Sequence, residues 1–290
     1  MSLVSMKEML QKAREESYGV GGFNIFNIES IEAVLEAAEE QKSPAILMFA
    51  EIMKENINIE YLSTIAKKMA EEASVPVALH LDHGQSYEYC LIAIRNGFSS
   101  VMIDASVYTL EENIAITKKI VECCKYLGIS VEAELGHVGT ELGYIETESK
   151  YGSNDDESYK TDPEDVKIFI AETDIDALAV SIGNTHCLYN KIAKIDHERL
   201  IRLNGISEVP LVIHGGSGIS DDDSRLIIKE GVCKINIFTK MSQQAIANIK
   251  ELINNGQYKF GVLDFSTTIK EGMKKVVTKK MEVFGSVGKA

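Results

Sequence analysis

The chain has no tryptophan and only 4 prolines among 290 residues. That composition excludes collagen-like, proline-rich and low-complexity architectures. Positive charge is also scarce: 30 Lys and Arg face 44 Asp and Glu, a net charge of −14. Such a chain repels phosphate backbones unless it carries a basic stripe, so a nucleic-acid partner is not expected. Lysines do gather near the C-terminus (Lys270, Lys274, Lys275, Lys279, Lys280), but Glu271 and Glu282 interrupt them. Their spacing is that of a solvated helix face. No apolar run has the length of a membrane span, so no membrane partner is expected either. The first residues lack the apolar core of a signal peptide and read as the start of an amphipathic helix. Five cysteines (Cys90, Cys123, Cys124, Cys187, Cys233) form no C-x-x-C pair and cannot all be paired. We expect a reduced, cytoplasmic protein without a disulfide framework.

What is present is alternation. Short apolar runs lie at 20–25, 44–50, 76–81, 100–104, 130–135, 177–182, 210–213 and 233–238. Most are nearly continuous Val, Ile, Leu and Ala, as strands buried on both faces are. Helical spacing fills the gaps at 28–40, 59–73, 87–96, 110–127, 163–172, 196–203, 221–230 and 241–255. Eight strand–helix units predict an α/β chain folded as a (β/α)8 TIM barrel, with a C-terminal helical extension beyond Asn255. An open doubly wound sheet is the rival, but no G-x-G-x-x-G follows the first run. No shift in composition marks a second domain, so residues 1–290 read as one. The connection from Glu134 to Thr161 is unusually long and polar, as functional lids and disordered segments are.

Barrel enzymes carry their chemistry at the C-terminal ends of the strands. Those ends here are rich in histidine and acid. The third run is followed by His80-Leu81-Asp82-His83-Gly84 and the fourth by Asp104. The fifth leads to Glu134 and His137, the sixth to Asn184-Thr185-His186, the seventh to His214-Gly215-Gly216-Ser217. A single histidine at a strand end is usually a satisfied polar group. Five of the chain's six fall at such ends by this reading, and only His197 does not. Three histidines from different strands suit Zn²⁺ with one position open. Asp82 then stands where a proton donor or an orienting partner would be useful. The Gly-Gly-Ser-Gly run after strand seven and the residues from Asn236 to Thr239 after strand eight lie where barrels often bind phosphate. Metal, phosphate and carboxylate together suit chemistry beside the carbonyl of a phosphorylated sugar, with an enediolate to be stabilised.

At these residues the sequence resembles the class II, zinc-dependent fructose-bisphosphate and tagatose-bisphosphate aldolases. The likeness includes GGFNIFNIE, HLDHG, VMIDAS, EAELGHVG, YKTDPEDV, IDALAVSIGNTH, PLVIHGGSGI, CKINIFT and FGSVGKA, over nearly the whole chain. It implies a homodimer or homotetramer in carbohydrate metabolism. It also implies reversible cleavage of a ketose phosphate, by default fructose 1,6-bisphosphate, to dihydroxyacetone phosphate and an aldehyde. Carried over, His83, His186 and His214 resemble the catalytic zinc ligands, and Asp104 and Glu134 an alternative or second metal site. Asp82 resembles the proton donor. Asn24, Gly215, Gly216, Ser217, Asn236, Ile237, Phe238 and Thr239 resemble the substrate contacts. Cys187 stands for a glycine whose backbone N–H would serve the phosphate or a monovalent cation.

Several positions depart from the family's pattern. Asn184 replaces a usual Thr, Asn190 a Lys near the phosphate, and Ala50 a Ser near the distal phosphate. Phe238 stands where Asp or Ala is usual, and Lys240 where an acid is. The lid text is Gly139-Thr140-Glu141-Leu142-Gly143. Glu141 is the expected base for the C1 proton of dihydroxyacetone phosphate, with Asp155, Asp156 and Glu157 as alternatives. The metal machinery thus looks intact and the far end of the substrate looks changed. The changed far end points to an aldehyde other than glyceraldehyde 3-phosphate. Fructose 1,6-bisphosphate stays the default substrate, and tagatose 1,6-bisphosphate and other ketose 1-phosphates follow it. A metal-dependent hydrolase is disfavoured because strand one ends in Phe23-Asn24 rather than a His-x-His pair. A non-catalytic sugar-phosphate binding protein would require loss of the base.

Overall fold

A computed structural model describes residues 2–138, 157–185, 194–256 and 258–290. Eight parallel strands close on themselves: β1 (Val20–Asn24), β2 (Ala45–Ala50), β3 (Val77–Gly84), β4 (Ser100–Ile103), β5 (Ser130–Leu135), β6 (Ala177–Val180), β7 (Leu211–Ile213) and β8 (Val232–Ile237). Closure is made by β8 pairing with β1, with Gly22 opposite Asn236. The helices are α1 (Met6–Glu16), α2 (Ile28–Gln41), α3 (Ile59–Glu72), α4 (Tyr87–Arg95), α5 (Leu110–Cys124), α6 (Pro163–Thr173), α7 (His197–Ile206), α8 (Asp221–Lys229), α9 (Thr239–Asn254) and α10 (Val262–Phe284). This is the (β/α)8 barrel expected from the alternation. The strands read as unbroken apolar runs because helices cover one face and the barrel interior the other.

The N-terminal helix has a definite task. Met6, Met9, Leu10 and Ala13 recur at helical spacing and are buried. They pack against inward-facing Val20, Ile46, Ala78, Ala177 and Val212, so α1 plugs the barrel floor. At the other end of the chain, α10 lies on α2 and α9. Its lysines are less solvated than the sequence suggested. Lys270 and Lys274 bond Glu36 at 2.8 and 3.0 Å, and buried Lys280 bonds Asp221 at 2.8 Å. The tail then reaches the floor, where Lys289 bonds Glu16 and the Ala290 N–H bonds the Lys42 carbonyl.

Strand β3 corrects one expectation. It runs on to Gly84 instead of ending at Leu81, with a register shift between those two residues. His80 is therefore inside the barrel and fully buried, not on the rim. Its Nδ1 lies 2.7 Å from Ser100 Oγ, and Ser100 in turn donates to Met6 Sδ.

Candidate active site

The irregularity in β3 shapes the rim. His83 has a left-handed backbone, φ +49°, which is unfavourable for a residue with a Cβ. The Asp104 N–H bonds the Gly84 carbonyl at 2.8 Å, which brings the ends of β3 and β4 together. His83 Nδ1 then meets Asp104 Oδ2 at 2.7 Å. The other carboxylate oxygen, Oδ1, accepts from the Ser106 hydroxyl (2.7 Å) and N–H (3.1 Å). Ser106 Oγ also lies 3.2 Å from His137 Nδ1, so these contacts run from His83 to the end of the β5 loop. Burial opposes the charge on Asp104, but His83 and Ser106 prevail and hold its carboxyl far below the usual range. Burial likewise opposes a charged His83. The negative charges of Asp82, Asp104 and Glu134 outweigh it and push the imidazole up to about 10.

Strand β5 contributes two inward acids, Glu132 and Glu134, two residues apart as the pleat requires. Glu132 Oε1 lies 3.0 Å from His214 Nε2, and Glu132 Oε2 accepts from Lys234 Nζ at 2.8 Å. Both Glu132 and Lys234 are 0% exposed, a charge pair sealed inside the barrel. On the other side of the His214 ring, Nδ1 lies 3.0 Å from Glu134 Oε2. Burial and the charge of His83 lower the His214 pKa, but the bonds to Glu132 and Glu134 raise it on balance. Asn184 bonds the His214 carbonyl through Nδ2 at 3.0 Å, fixing the end of β7 from behind. Gly183 makes that turn possible: its φ is +92°, and a Cβ would lie 2.3 Å from the Lys194 carbonyl oxygen.

Asp82 is held from both sides. Asn24 Nδ2 donates to Oδ2 at 2.9 Å and Asn236 Nδ2 to Oδ1 at 3.0 Å. Burial favours the neutral acid, but the charges of His83, His214 and Lys234, with the Asn24 bond, bring its pKa down to about 2. Gly22 gives Asn236 room, since a Cβ there would be 3.0 Å from Asn236 Oδ1.

Among the described residues, two overlapping trios could hold a metal ion: Asp82, His83 and His214, and His83, Asp104 and Glu134. Within each, one nitrogen or oxygen donor per residue lies within 4.8 Å of the others. Asp104 engages the Nδ1 of His83 and Glu132 the Nε2 of His214, so His83 Nε2 and His214 Nδ1 are the nitrogens turned to the site. Imidazole and carboxylate donors oriented by outer carboxylates fit Zn²⁺. His186 lies outside the described residues, as do Cys187, Asn190, Glu141, Asp155 and Asp156. Glu157 is described, and its two oxygens bond Lys160 and Arg199, each at 2.6 Å.

Beside this cluster, Gly215 (φ +69°) turns the chain into a 3₁₀ turn at Gly216–Gly218. Ser217 Oγ accepts from the N–H groups of Phe238 and Lys240, both at 3.3 Å, tying the turn to the start of α9. Phe238, at the N-cap, makes no side-chain cap of its own. A helix N-terminus suits an anion. Ile237 is buried in the apolar core, so only its backbone can face the site.

Comparison with known proteins agrees with this geometry. The family described as Fructose-bisphosphate aldolase class-II matches residues 4–289. The chain belongs to the class II fructose-bisphosphate aldolase family. It is thereby a lyase. A fructose-bisphosphate aldolase of Thermus caldophilus is 39% identical, over 99% of this chain and 100% of that one. The protein YdjI of Escherichia coli K12 is 40% identical over 96% of each chain. The crystal structure of the YdjI aldolase aligns with a TM-score of 0.86, covering 99% of both chains at 37% identity.

Sequence reading missed the pair Glu132 and Lys234, and with it the support of His214. Its trace was visible: each is a charge inside an otherwise apolar strand, in SVEAEL and VCKINI. Nothing local says that the two meet, because they are 102 residues apart. Ser106 was missed as well; its bond to Asp104 is local, and only its contact with His137, 31 residues away, is not.

Proposed function

We propose that this aldolase reversibly cleaves a ketose (bis)phosphate to dihydroxyacetone phosphate and an aldehyde. The observation that carries this reading is the gathering of Asp82, His83 and His214 donors within 4.8 Å of one another. Next to them lies the N-terminus of α9, joined to the Ser217 turn. His83 and His214, with His186, would hold Zn²⁺; Asp104 and Glu134 would serve an alternative position. Bound there, the ion supplies Lewis-acid polarisation of the ketone. Backbone N–H groups of Gly215, Gly216, Ser217 and of the Asn236–Thr239 segment would hold the phosphate, with Cys187 and a monovalent cation completing that end.

The proton steps belong to the side chains. In cleavage the C4 hydroxyl gives its proton to Asp82 as the C3–C4 bond breaks and its electron pair stays on C3. Asp82 is suited to this because it rests as a carboxylate, its pKa near 2. Asn24 and Asn236 aim it. C3 is then protonated to give dihydroxyacetone phosphate, and Glu141 is proposed for that transfer. In condensation each proton moves the other way. Fructose 1,6-bisphosphate is the default substrate. Tagatose 1,6-bisphosphate is an alternative. Ala50, which pairs with Asp82 across β2 and β3, favours another ketose 1-phosphate without a distal phosphate, because it has no hydroxyl to hold one. A homodimer or homotetramer in the cytoplasm is the proposed setting. No helix among the described residues is long and apolar enough to cross a membrane.

The test is proton exchange. Zinc-loaded protein is incubated with dihydroxyacetone phosphate in D₂O and the C1 proton is followed by NMR. Exchange that a strong chelator abolishes supports the reading. Absence of exchange in the loaded protein rejects it.

A further inference from the structure

Asn24 and Asn236, which clamp Asp82, sit at or near the ends of neighbouring strands β1 and β8. Two residues beyond each stands a phenylalanine, Phe26 and Phe238. Their rings meet edge to face, centroids 5.9 Å apart and planes at 80°. That geometry is favourable for an aromatic pair. The rings thus form a bar across the ends of the two strands that aim the proton-transferring acid. Phe238 keeps 39% of its surface exposed. On β2, the neighbour of β1, the position level with Asp82 is Ala50. Lys54, which follows the next turn, is already bonded to Glu51 at 2.9 Å. The described surface around Asp82 therefore offers an apolar edge and a methyl group where a charged substrate end would need a hydroxyl or a cation.

We infer that Phe26 and Phe238 determine the aldehyde, and that the aldehyde is uncharged with an apolar portion that packs on their rings. This rests on the aldolase reading above and names the substrate class of the same site. The phosphate of dihydroxyacetone phosphate would sit at the Ser217 turn, on the β7 side of Phe238, whose N–H bonds Ser217 Oγ, and the acceptor half on the β1 to β3 side, so the two halves of the substrate are read by opposite chemistries. The donor half is held by backbone N–H groups, and the acceptor half by desolvation of apolar surface.

The experiment uses the zinc-loaded full chain with dihydroxyacetone phosphate as donor. Acceptors are acetaldehyde, propanal, butanal and glyceraldehyde 3-phosphate, each read as kcat/KM. Exchange of the C1 proton is recorded in parallel. The expected result is a rise along the alkyl series, several-fold per methylene as apolar pockets give. Butanal is expected to exceed glyceraldehyde 3-phosphate by about tenfold or more. Phe26→Ser and Phe238→Ser flatten the series. The readout is a ratio between aldehydes within one protein, so a partly unfolded variant does not mimic it. Exchange without a rising series, or with glyceraldehyde 3-phosphate preferred, overturns the inference and leaves the aldolase reading standing. Absence of exchange overturns both.

Discussion

At the scale of single residues, the two roles given to carboxylates separate cleanly. In the proposed reaction Asp82 moves the proton of the hydroxyl oxygen, and the C1 proton of dihydroxyacetone phosphate is assigned to another group. Asp82→Asn keeps the shape and the size of the side chain but cannot take that proton. It should lower cleavage by about 10² to 10⁴-fold, the usual worth of general acid–base catalysis. C1 proton exchange should persist. Parallel loss of both rates would reassign Asp82 to holding the metal site. A second residue gives a pH effect. Burial, helped by Lys234, presses the His80 pKa from 6.5 down to about 3. The unfolded chain then binds a proton below pH 6.5 that the folded chain refuses until about pH 3. Stability attributable to this residue therefore falls as pH drops through that window, at up to about 1.4 kcal/mol per pH unit. Thermal melts between pH 7 and pH 4 should show a shallower decline in His80→Gln than in the parent. Equal slopes would show that His80 is charged in the fold.

At the scale of elements, α1 is a plug, so its apolar face should carry stability and leave chemistry alone. Leu10 is fully buried against the barrel floor. Leu10→Ala should cost about 2–5 kcal/mol in denaturant unfolding. The KM for substrate should not move, because the site is at the opposite end of the strands. Much of this architecture is legible in the sequence. Continuous apolar runs such as AILMFA announce strands with two covered faces, and the Met6, Met9, Leu10, Ala13 spacing announces a buried helix face. What was not legible has a common cause. The bulge that carries β3 on to Gly84 depends on how β3 meets β4, so His80 reads as a rim residue when it is an interior one. The support of His214 by Glu132 and Lys234 joins β5, β7 and β8 across the barrel, and no local pattern encodes it. Asn24 and Asn236 were legible as site residues, but not as the donors to Asp82.

At the scale of the whole molecule, the site concentrates charge that the fold must tolerate. Asp82, Glu132 and Glu134 are all buried near His83 and His214. A divalent cation bound only by the folded state stabilises it by roughly 2.7 kcal/mol at 100-fold excess over Kd. For a chain of this size that corresponds to a fall in Tm of roughly 4 °C when the ion is stripped. Calorimetry with and without a strong chelator measures it. An unchanged Tm would mean that the cluster holds no ion in the folded protein. The floor of the barrel has a consequence of a different kind. The Ser2 carbonyl accepts from Val77 at the start of β3, and Lys289 bonds Glu16 and the Lys12 side chain at the plug. Both described ends of the polypeptide thus leave from the side opposite the catalytic mouth. A bead, an electrode or a fused protein joined at either end would hang beneath the barrel, and every immobilised copy would present its opening to the solution.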